Sequence, residues 1–236
     1  MISSQDYFNN PQLIIDNLTG EFEASDDFDS SFIEHLCYDG FLPMADTNPY
    51  DESKDVLIIK FHNERCIISP SSVKIGKTIK RNAHEFSLTI NHCFDTVMQE
   101  VWEQHGNYWF SKELYQAIKP LINKNDLKAS FHSIELWKNE KLVAGDIGMV
   151  SGSRYLSMTG FYKVNGSGSV LLASIGKLLN NLNFDIWDLG MELPYKISMG
   201  AQLITRNDFI KQINIIKDKK LNFEYDKISC LTLLNN

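Results

Sequence analysis

Residues 131–162 read FHSIELWKNEKLVAGDIGMVSGSRYLSMTGFY, and this stretch decides the fold. Its three apolar runs are separated by turn-forming residues, first KNEK at 138–141 and then Gly152 and Ser153. Short runs rich in β-branched and aromatic residues, bounded by such turns, are typical of antiparallel strands. We therefore expect three successive antiparallel strands, over 131–137, 142–151 and 155–162.

The residues that follow predict a further strand on the same sheet. Gly166 and Gly168 precede an apolar run at 170–182 that has the length of a helix, and a buried strand is expected over 184–189. Strand, glycine loop, helix and strand make a β-α-β unit. The loop N–H groups could hold an anion at the helix N-terminus, as in the pyrophosphate loop of acetyltransferases, or the glycines could serve only a tight turn.

Upstream of this stretch the pattern predicts helices that pack on the sheet. Residues 94–105 carry apolar side chains at helical spacing and stop at Gly106, and a second helix is expected after Ser111, over 113–121. Residues 86–91 alternate apolar and polar side chains, as a half-buried strand does. Together these segments predict an α+β layer.

The first part of the chain predicts short elements joined by turns. A helix is expected over 32–38, with Ser30 or Ser31 as its cap. Further strands are expected over 56–61 and 65–68, and residues 72–81 could form a strand that leads into a helix.

The predicted fold class is α+β, with a mixed sheet, flanking helices and a small N-terminal lobe. The length of 236 residues allows a small domain attached to a larger one. We expect the lobe over 1–64 and the larger domain over 65–236.

Composition and charge narrow the class of protein. Hydrophobic content of 43% and charged content of 22% are ordinary for a globular protein, and a net charge of −7 argues against a surface coated with nucleic-acid-binding residues. Four basic residues are nevertheless concentrated within eight positions, at Lys74, Lys77, Lys80 and Arg81. This cluster could contact phosphates, or it could be a solvated helix face.

Targeting and redox features are few. The N-terminus lacks the basic start and apolar run of a secretory signal, and no stretch has the ~18 apolar residues of a membrane span, so we expect a cytoplasmic protein without membrane contact. The cysteines show no short paired spacing, which favours reduced structural thiols over a zinc site or disulfides. They are Cys37, Cys66, Cys93 and Cys230.

Several short blocks, in this order and spacing, resemble the leucyl/phenylalanyl-tRNA–protein transferase family. The resemblance runs from about Gly40 to Phe209 and depends on the collinearity of the blocks. The blocks are GFLP at 40–43, IGKTIKR at 75–81, YWF at 108–110, FHSIELW at 131–137, GDIG at 145–148, WDLG at 187–190 and SMGA at 198–201, followed by Arg206.

The resemblance implies a fold, a reaction and partners. The expected fold is a small N-terminal lobe on an acetyltransferase-like domain that holds the 3′ end of aminoacyl-tRNA. The implied reaction moves an amino acid, leucine or phenylalanine in type, from the tRNA ester to a protein's N-terminal α-amine and marks that protein for degradation. No ATP, metal or other cofactor is implied, because aminoacyl-tRNA is a co-substrate that is already activated.

The chain departs from the family pattern at sensitive positions. The family's catalytic glutamate falls near Met158, and its partner glutamine falls on Gly190. A tryptophan of the small lobe is Met44 here, and an apolar pocket residue corresponds to Asp146. The donor amino acid and the accepted N-terminus therefore stay open, and a divergent branch is indicated.

Two carboxylates are candidate catalytic residues. Asp188 ends an apolar strand, where it could bind or deprotonate the incoming amine or could cap a turn. Glu135 should point away from Ile134 and Leu136, which makes it either a site acid or half of a buried ion pair. His132, on the other face of that strand, is expected to be a satisfied core group.

Six further residues are candidates for substrate binding. Trp109 could stack on the terminal adenine or belong to the core. Tyr155, Leu171 and Trp187 are expected to border the aminoacyl pocket, with Met158 nearby. Glu192 either replaces the missing glutamine or faces solvent.

Two other functions are consistent with the sequence. An acyl-CoA-dependent N-acetyltransferase would use the loop from Gly166 to Gly168 for pyrophosphate. A non-catalytic tRNA-binding or degron-binding protein would explain the replaced glutamate and glutamine.

Overall fold

The computed structural model describes residues 1–11, 15 and 20–235, which form two β-sheets and surrounding helices. The strands are β1 (Phe22–Ser25), β2 (Leu42–Asn48), β3 (Asp51–Lys60), β4 (Glu64–Ile68), β5 (Ser87–Ile90), β6 (Ser130–Lys138), β7 (Lys141–Ser151), β8 (Arg154–Tyr162), β9 (Ile186–Gly190), β10 (Gln202–Thr205) and β11 (Ile228–Ser229). The α-helices with described bounds are α1 (Ser4–Asn9), α2 (Ser30–Tyr38), α3 (Lys77–Asn82), α4 (Phe94–His105), α5 (Lys112–Ile118), α6 (Ser167–Asn181), α7 (Pro194–Ser198), α8 (Arg206–Ile216) and α9 (Cys230–Asn235).

The larger sheet is mixed and has eight strands, in the order β10-β4-β9-β8-β7-β6-β5-β11. Among its described strands, β8 and β9 alone run parallel, and they are joined through α6. The antiparallel succession β6, β7 and β8 and the added strand β9 confirm the predictions for 131–162 and 184–189. The α+β class with a mixed sheet and flanking helices is confirmed as well.

Two hydrophobic clusters cover the two faces of the larger sheet. The first contains Val97 of α4 and Ile147 of β7, and the second contains Leu178 of α6 and Ala144 of β7. Successive side chains of a strand point to opposite faces, so β7 contributes to both clusters in alternation. The sheet is therefore buried between a layer with α4 and a layer with α6.

The smaller sheet, in the order β1-β3-β2, shares the first cluster. The rings of Phe61 and Phe209 lie 6.3 Å apart, and the Ala45 N–H donates to the Trp109 carbonyl at 2.7 Å. β4, which follows β3 directly, belongs to the larger sheet. The division into a lobe at 1–64 and a domain at 65–236 stays a prediction.

Some local predictions need correction. The Asp29 side chain accepts the Phe32 N–H at 2.9 Å and caps α2, so Ser30 and Ser31 lie inside the helix. The strand expected near residue 72 is a 3₁₀ turn, Pro70–Ser72, because proline fixes the backbone and lacks an N–H for a ladder. None of the helices with described bounds has both the length and the apolar character that a bilayer crossing requires.

Candidate functional site

The parallel strands of the larger sheet separate after a short paired stretch, and the edge where they separate is named the cleft. β8 and β9 pair only through Arg154–Ile186, Tyr155–Trp187 and Leu156–Asp188, in the part of the chain that the structure describes. β8 then continues beside β7 to Tyr162, whereas β9 ends at Gly190. Crevices at the carboxyl ends of parallel strands are common ligand sites.

A β-bulge marks the point of separation. The register between β7 and β8 passes from Gly148–Ser157 to Ile147–Thr159, so Met158 has no partner on β7. Bulges of this kind bend a strand and are frequent beside active sites. The bulge lies two residues beyond Leu156, the last β8 residue that pairs with β9.

A chain of polar side chains follows the α6 side of the sheet at this cleft. The Trp187 indole N–H donates to Ser157 Oγ at 2.9 Å. Ser157 Oγ donates to Asp146 Oδ2 at 3.1 Å, and the Tyr155 hydroxyl donates to the same oxygen at 2.7 Å. Three adjacent strands thus contribute to one hydrogen-bonded group.

Gly148 makes room for this arrangement. A Cβ atom at Gly148 would lie 2.3 Å from the Tyr155 phenol and 2.7 Å from the Leu156 carbonyl oxygen. The Tyr155 ring therefore crosses β7 directly over Gly148 to reach Asp146. Any larger residue at position 148 would displace the ring.

Burial dominates the electrostatics of Asp146. The side chain is 5% exposed, and burial raises its pKa to about 7, although the two hydroxyl donors and the Lys196 ammonium act in the opposite direction. The Lys196 ammonium itself donates to the Leu189 and Met191 carbonyls, at 2.6 and 2.9 Å. It holds the turn after β9 and makes no ion pair with Asp146.

Asp188 lies on the opposite face of the sheet, where both of its carboxylate oxygens accept hydrogen bonds. Arg65 donates to it from Nε and Nη2, both at 2.8 Å, and Arg154 Nη1 donates at 3.3 Å. Burial would raise the Asp188 pKa, but the two guanidinium groups and the Gly190 N–H outweigh burial and lower it. The Asp188 carboxylate is therefore ionised and already paired.

The arginines around Asp188 complete a buried network. Arg65 Nη1 donates to His62 Nδ1 at 2.6 Å, and burial together with Arg65 lowers the His62 pKa to about 3. The Arg154 Nη2 donates to the Cys37 carbonyl. Both guanidinium groups lie over the Phe209 ring, 4.9 and 5.6 Å from its centroid.

Glu135 is buried without an ion pair among the described residues. Its carboxylate accepts from the Ser133 and Thr89 hydroxyls, both at 2.6 Å, and from the His92 and Cys93 N–H groups at 3.1 and 3.2 Å. Burial raises its pKa, and these four donors lower it in part. Its predicted direction, away from Ile134 and Leu136, is confirmed. Of the two predicted alternatives, the described residues provide no ion pair, and the role of a site acid stays a prediction.

The structure does not bring the two candidate catalytic residues together. Asp188 is on β9 and Glu135 on β6, three strand spacings of about 4.8 Å apart, or roughly 14 Å. Both lie on the face opposite Tyr155 and Trp187. His132 is a satisfied core histidine as predicted: its Nε2 lies 2.8 Å from Ser130 Oγ, and burial lowers its pKa to about 3.

The candidate binding residues fall into separate groups. Tyr155, Leu171 and Trp187 belong to the second hydrophobic cluster and are at most 4% exposed. The structure therefore brings them together, but their side chains pack tightly and leave no open pocket between them. Met158 and Trp109 are half-buried against the first cluster, on the other face. Glu192 is exposed just beyond β9.

The basic cluster lies on the surface near the cleft. Lys74, Lys77, Lys80 and Arg81 are all exposed. The Lys74 N–H donates to the Met199 carbonyl at 2.9 Å, next to α7, and α3 packs against α6.

Three other kinds of site come into question: a second cavity, an anion site at the glycine loop and a metal site. A cavity of about 100 Å³ at the start of β6 is lined by Lys124, Lys128, His132, Lys219 and Lys220, away from the cleft. The glycine loop turns its Ser167 N–H to the Val164 carbonyl at 3.0 Å, so that donor is not free for pyrophosphate. Within residues 1–11, 15 and 20–235, no cluster of histidine, cysteine and carboxylate side chains could hold a metal ion.

The sequence interpretation missed Asp146 as a possible binding residue. It noted Asp146 only as a departure from the family pattern. A usable indication was present, because Asp146 alternates with Ala144 and Gly148 and must therefore share their buried face. Burial of a carboxylate on an otherwise apolar strand face is costly unless the group is hydrogen-bonded or paired, which predicts polar partners for Asp146.

Comparison with known proteins identifies the class. The family model described as leucyl/phenylalanyl-tRNA protein transferase matches residues 67–214, which include both strands of the cleft. The chain is thus an aminoacyltransferase that depends on tRNA. It belongs to the leucyl/phenylalanyl-tRNA–protein transferase family.

Curated relatives agree over most of the chain at low identity. A leucyl/phenylalanyl-tRNA–protein transferase of Shewanella baltica (strain OS195) is 23% identical over 220 residues, covering 91% of this chain and 89% of the relative. One of Lawsonia intracellularis is 29% identical over 174 residues, covering 71% and 74%. The chain is therefore similar to these proteins over about three quarters or more of their length.

Solved structures resemble the chain only weakly. The C-terminal domain (DUF2156) of a putative lysylphosphatidylglycerol synthetase from Agrobacterium fabrum has a TM-score of 0.43 at 13% identity, with 80% of this chain and 70% of that chain covered. A likeness of this size does not define the fold.

Proposed function

We propose that this protein transfers an amino acid from aminoacyl-tRNA to the N-terminal α-amine of a polypeptide, which is thereby marked for degradation. The observation that carries the proposal is the family match over residues 67–214. This range contains β8, β9, the bulge at Met158 and the basic cluster, so it includes every part of the cleft.

The chemistry needs positioning more than activation. An aminoacyl ester is already activated, and an amine that attacks it forms a tetrahedral oxyanion before the tRNA hydroxyl leaves. The gap between β8 and β9 supports a site that receives the ester from one side of the sheet. This separation of parallel strands also supports the acetyltransferase-like fold as a proposal.

Each predicted group takes a role in this proposal. The aminoacyl end lies against the packed side chains of Tyr155, Leu171 and Trp187, at the carboxyl ends of β8 and β9. The basic cluster at 74–81 contacts acceptor-stem phosphates.

The two candidate catalytic carboxylates act indirectly. Asp188 is a positioning residue: its Oδ1 accepts the Gly190 N–H at 2.9 Å, and its arginine pairs fix the end of β9. Glu135 holds the start of α4 through the His92 and Cys93 N–H groups. Neither carboxylate touches the amine.

A transfer assay tests the proposal. Purified full-length protein is incubated with tRNA charged with one labelled amino acid at a time and with peptides of varied N-termini. We expect label in the peptide, abolished by ribonuclease and by N-acetylation of the acceptor. Binding of tRNA without transfer would contradict the proposal in favour of a non-catalytic protein, and acetylation from acetyl-CoA would favour an N-acetyltransferase.

A further inference from the structure

One oxygen of the Asp146 carboxylate has no protein partner. Oδ2 accepts from the Tyr155 and Ser157 hydroxyls, whereas Oδ1 accepts no hydrogen bond from the residues that the structure describes. Two donors on Oδ2 fix the orientation of the carboxyl group, and in its ionised form, which a bound cation favours, the group is an acceptor only. Oδ1 is therefore directed and available to a donor that comes from outside the protein.

Oδ1 lies beside a residue that has no side chain. That neighbour across the ladder is Gly160, where an added Cβ would lie 3.6 Å from Oδ1 and only 2.6 Å from the Gly145 carbonyl oxygen. Gly160 and Ser157 are half-buried, so the cleft reaches this edge of the carboxylate. A side chain at position 160 would narrow that approach.

Asp146 forms no ion pair with any residue that the structure describes. Lys196, the cation that influences its pKa, is held by the Leu189 and Met191 carbonyls. A buried carboxylate is costly unless it is paired. A bound cation would therefore be held by a strong, charge-assisted hydrogen bond at Oδ1.

We propose that Asp146 binds an ammonium or guanidinium group, and that this group is the side chain of the amino acid esterified to tRNA. The inference rests on the proposed function, which places the aminoacyl end against Tyr155, Leu171 and Trp187. Tyr155 is bonded to Asp146 directly, and Trp187 is bonded to it through Ser157. These side chains and the carboxylate therefore form one site, and its donor is lysine or arginine.

An apolar donor fits this site poorly. A leucine or phenylalanine side chain at this site would cover Oδ1 and exclude water without offering a hydrogen bond. Sites built around a polar group reject ligands that leave it unpaired much more strongly than apolar pockets reject a change in size. Asp146 is in this sense a specificity-determining residue.

The test compares donors. Transfer from tRNA charged with lysine, arginine, leucine or phenylalanine to one fixed peptide is measured for the wild-type protein and for Asp146→Asn and Asp146→Met. We expect the wild-type kcat/KM to favour lysine or arginine by about 10²-fold. Asp146→Asn should remove most of this preference, and Asp146→Met should raise transfer of leucine and phenylalanine.

The control variant is Asp95→Asn. Asp95 also accepts from a tyrosine hydroxyl, that of Tyr115, but lies exposed on α4. This variant should keep the wild-type donor preference. Thermal unfolding and tRNA binding of each variant verify that its fold and its RNA contacts are retained.

Several results would overturn the proposal. Wild-type preference for leucine or phenylalanine that Asp146→Asn leaves unchanged is one. An equal loss for all four donors is another, because Asp146 would then act in folding or proton transfer. A change in preference among acceptor peptides beginning with lysine, arginine, leucine or aspartate, with donor preference unchanged, would assign Asp146 to the acceptor instead.

A binding measurement separates this inference from the proposed function. Stable 3′-lysylamino- and 3′-leucylamino-adenosine are titrated against wild-type protein and Asp146→Asn. Tighter binding of the lysyl compound, lost in the variant, supports the role of Asp146 even if no transfer is observed. Equal binding of both compounds by both proteins contradicts it, whatever the transfer assay gives.

Discussion

Two buried aspartates of this protein differ in what neutralises them. Asp188 is held by Arg65 and Arg154, whereas Asp146 receives hydroxyl donors only. A carboxylate with a built-in counter-charge has no capacity left for a ligand, and one without a counter-charge gains from binding a cation. At the residue scale, Asp188 therefore supports the architecture and Asp146 is suited to recognition.

Replacement of Asp188 tests its contribution to the stability of the fold. We expect Asp188→Asn to lower the free energy of unfolding by about 3–5 kcal/mol, because two guanidinium groups stay buried without their counter-charge. Urea unfolding of the full chain measures the change. Asp208→Asn, which alters exposed contacts with Lys211 and with the Thr205 cap of α8, should change stability by less than about 1 kcal/mol. Intact stability with abolished transfer would instead indicate that Asp188 acts on substrate.

His132 should make stability depend on pH. Its pKa falls from 6.5 to about 3 on folding, so the unfolded chain binds a proton below pH 6.5 that the folded protein does not. The stability that His132 contributes is thus present above pH 6.5 and declines as pH falls, by about 1.4 kcal/mol per unit.

The variant His132→Asn isolates this dependence. At pH 7.5 the variant should have a lower unfolding free energy than wild type, because it loses the contact with Ser130. At pH 5 this difference should be smaller by about 2 kcal/mol, because wild type loses stability as pH falls and the variant does not. Chemical unfolding at both pH values measures the deficit. The exposed His84→Asn should show no such trend, and a constant deficit for His132→Asn would contradict the assignment of a buried neutral imidazole.

At the element scale, the pairing of β7 with β8 depends on small residues. Gly148 lets the Tyr155 ring cross the strand, and Gly160 sits beside Asp146 Oδ1. The bulge at Met158 shifts the register between these two positions. The two glycines of β7 and β8 are thus as important for the site as the polar groups that these strands carry.

The change Gly148→Ala should disrupt both packing and recognition. The new methyl group would overlap the Tyr155 phenol, whose displacement costs about 1–3 kcal/mol and removes a donor from Asp146. Thermal unfolding and transfer assays should both show a loss. Gly168→Ala, whose added Cβ would make ordinary contacts of 3.5–3.6 Å with Tyr162, should retain both properties. Equal behaviour of the two variants would contradict the proposed packing.

The strands were predictable, whereas the network around Asp188 was not. Apolar runs and turns near one another in the chain define β6, β7 and β8, because these strands pair with their sequence neighbours. Asp188 instead meets Arg65 and Arg154, which are 123 and 34 residues away. No local pattern predicts such partners. The orientation of Glu135 was predictable from strand alternation, but its four neutral donors were not.

At the scale of the whole molecule, charge is unevenly distributed. The net charge is −7, yet the exposed basic cluster at 74–81 lies beside α7 and the cleft. Phosphate contacts release counterions, so tRNA affinity should fall steeply with salt if this surface binds RNA. The acidic remainder of the surface would oppose binding elsewhere.

Neutralising part of the cluster tests this surface. We expect Lys77→Gln combined with Lys80→Gln to weaken tRNA binding and to reduce the slope of log affinity against log salt by about 2, one for each lost phosphate contact. Filter binding over a salt series measures the slope. Lys54→Gln is the control, since Lys54 lies 70% exposed on β3 and pairs with Asp51. An unchanged slope in the double variant would place the RNA on another surface.

The two sheets are joined through α8. Phe209 contacts Phe61 on one side and lies under both buried guanidinium groups on the other. Arg206 donates to the carbonyls of Gly20 and Phe61, at 2.7 and 2.6 Å. A chimaera that exchanged residues 1–64 for those of a relative would consequently have to exchange α8 with them, so these two distant segments must diverge together.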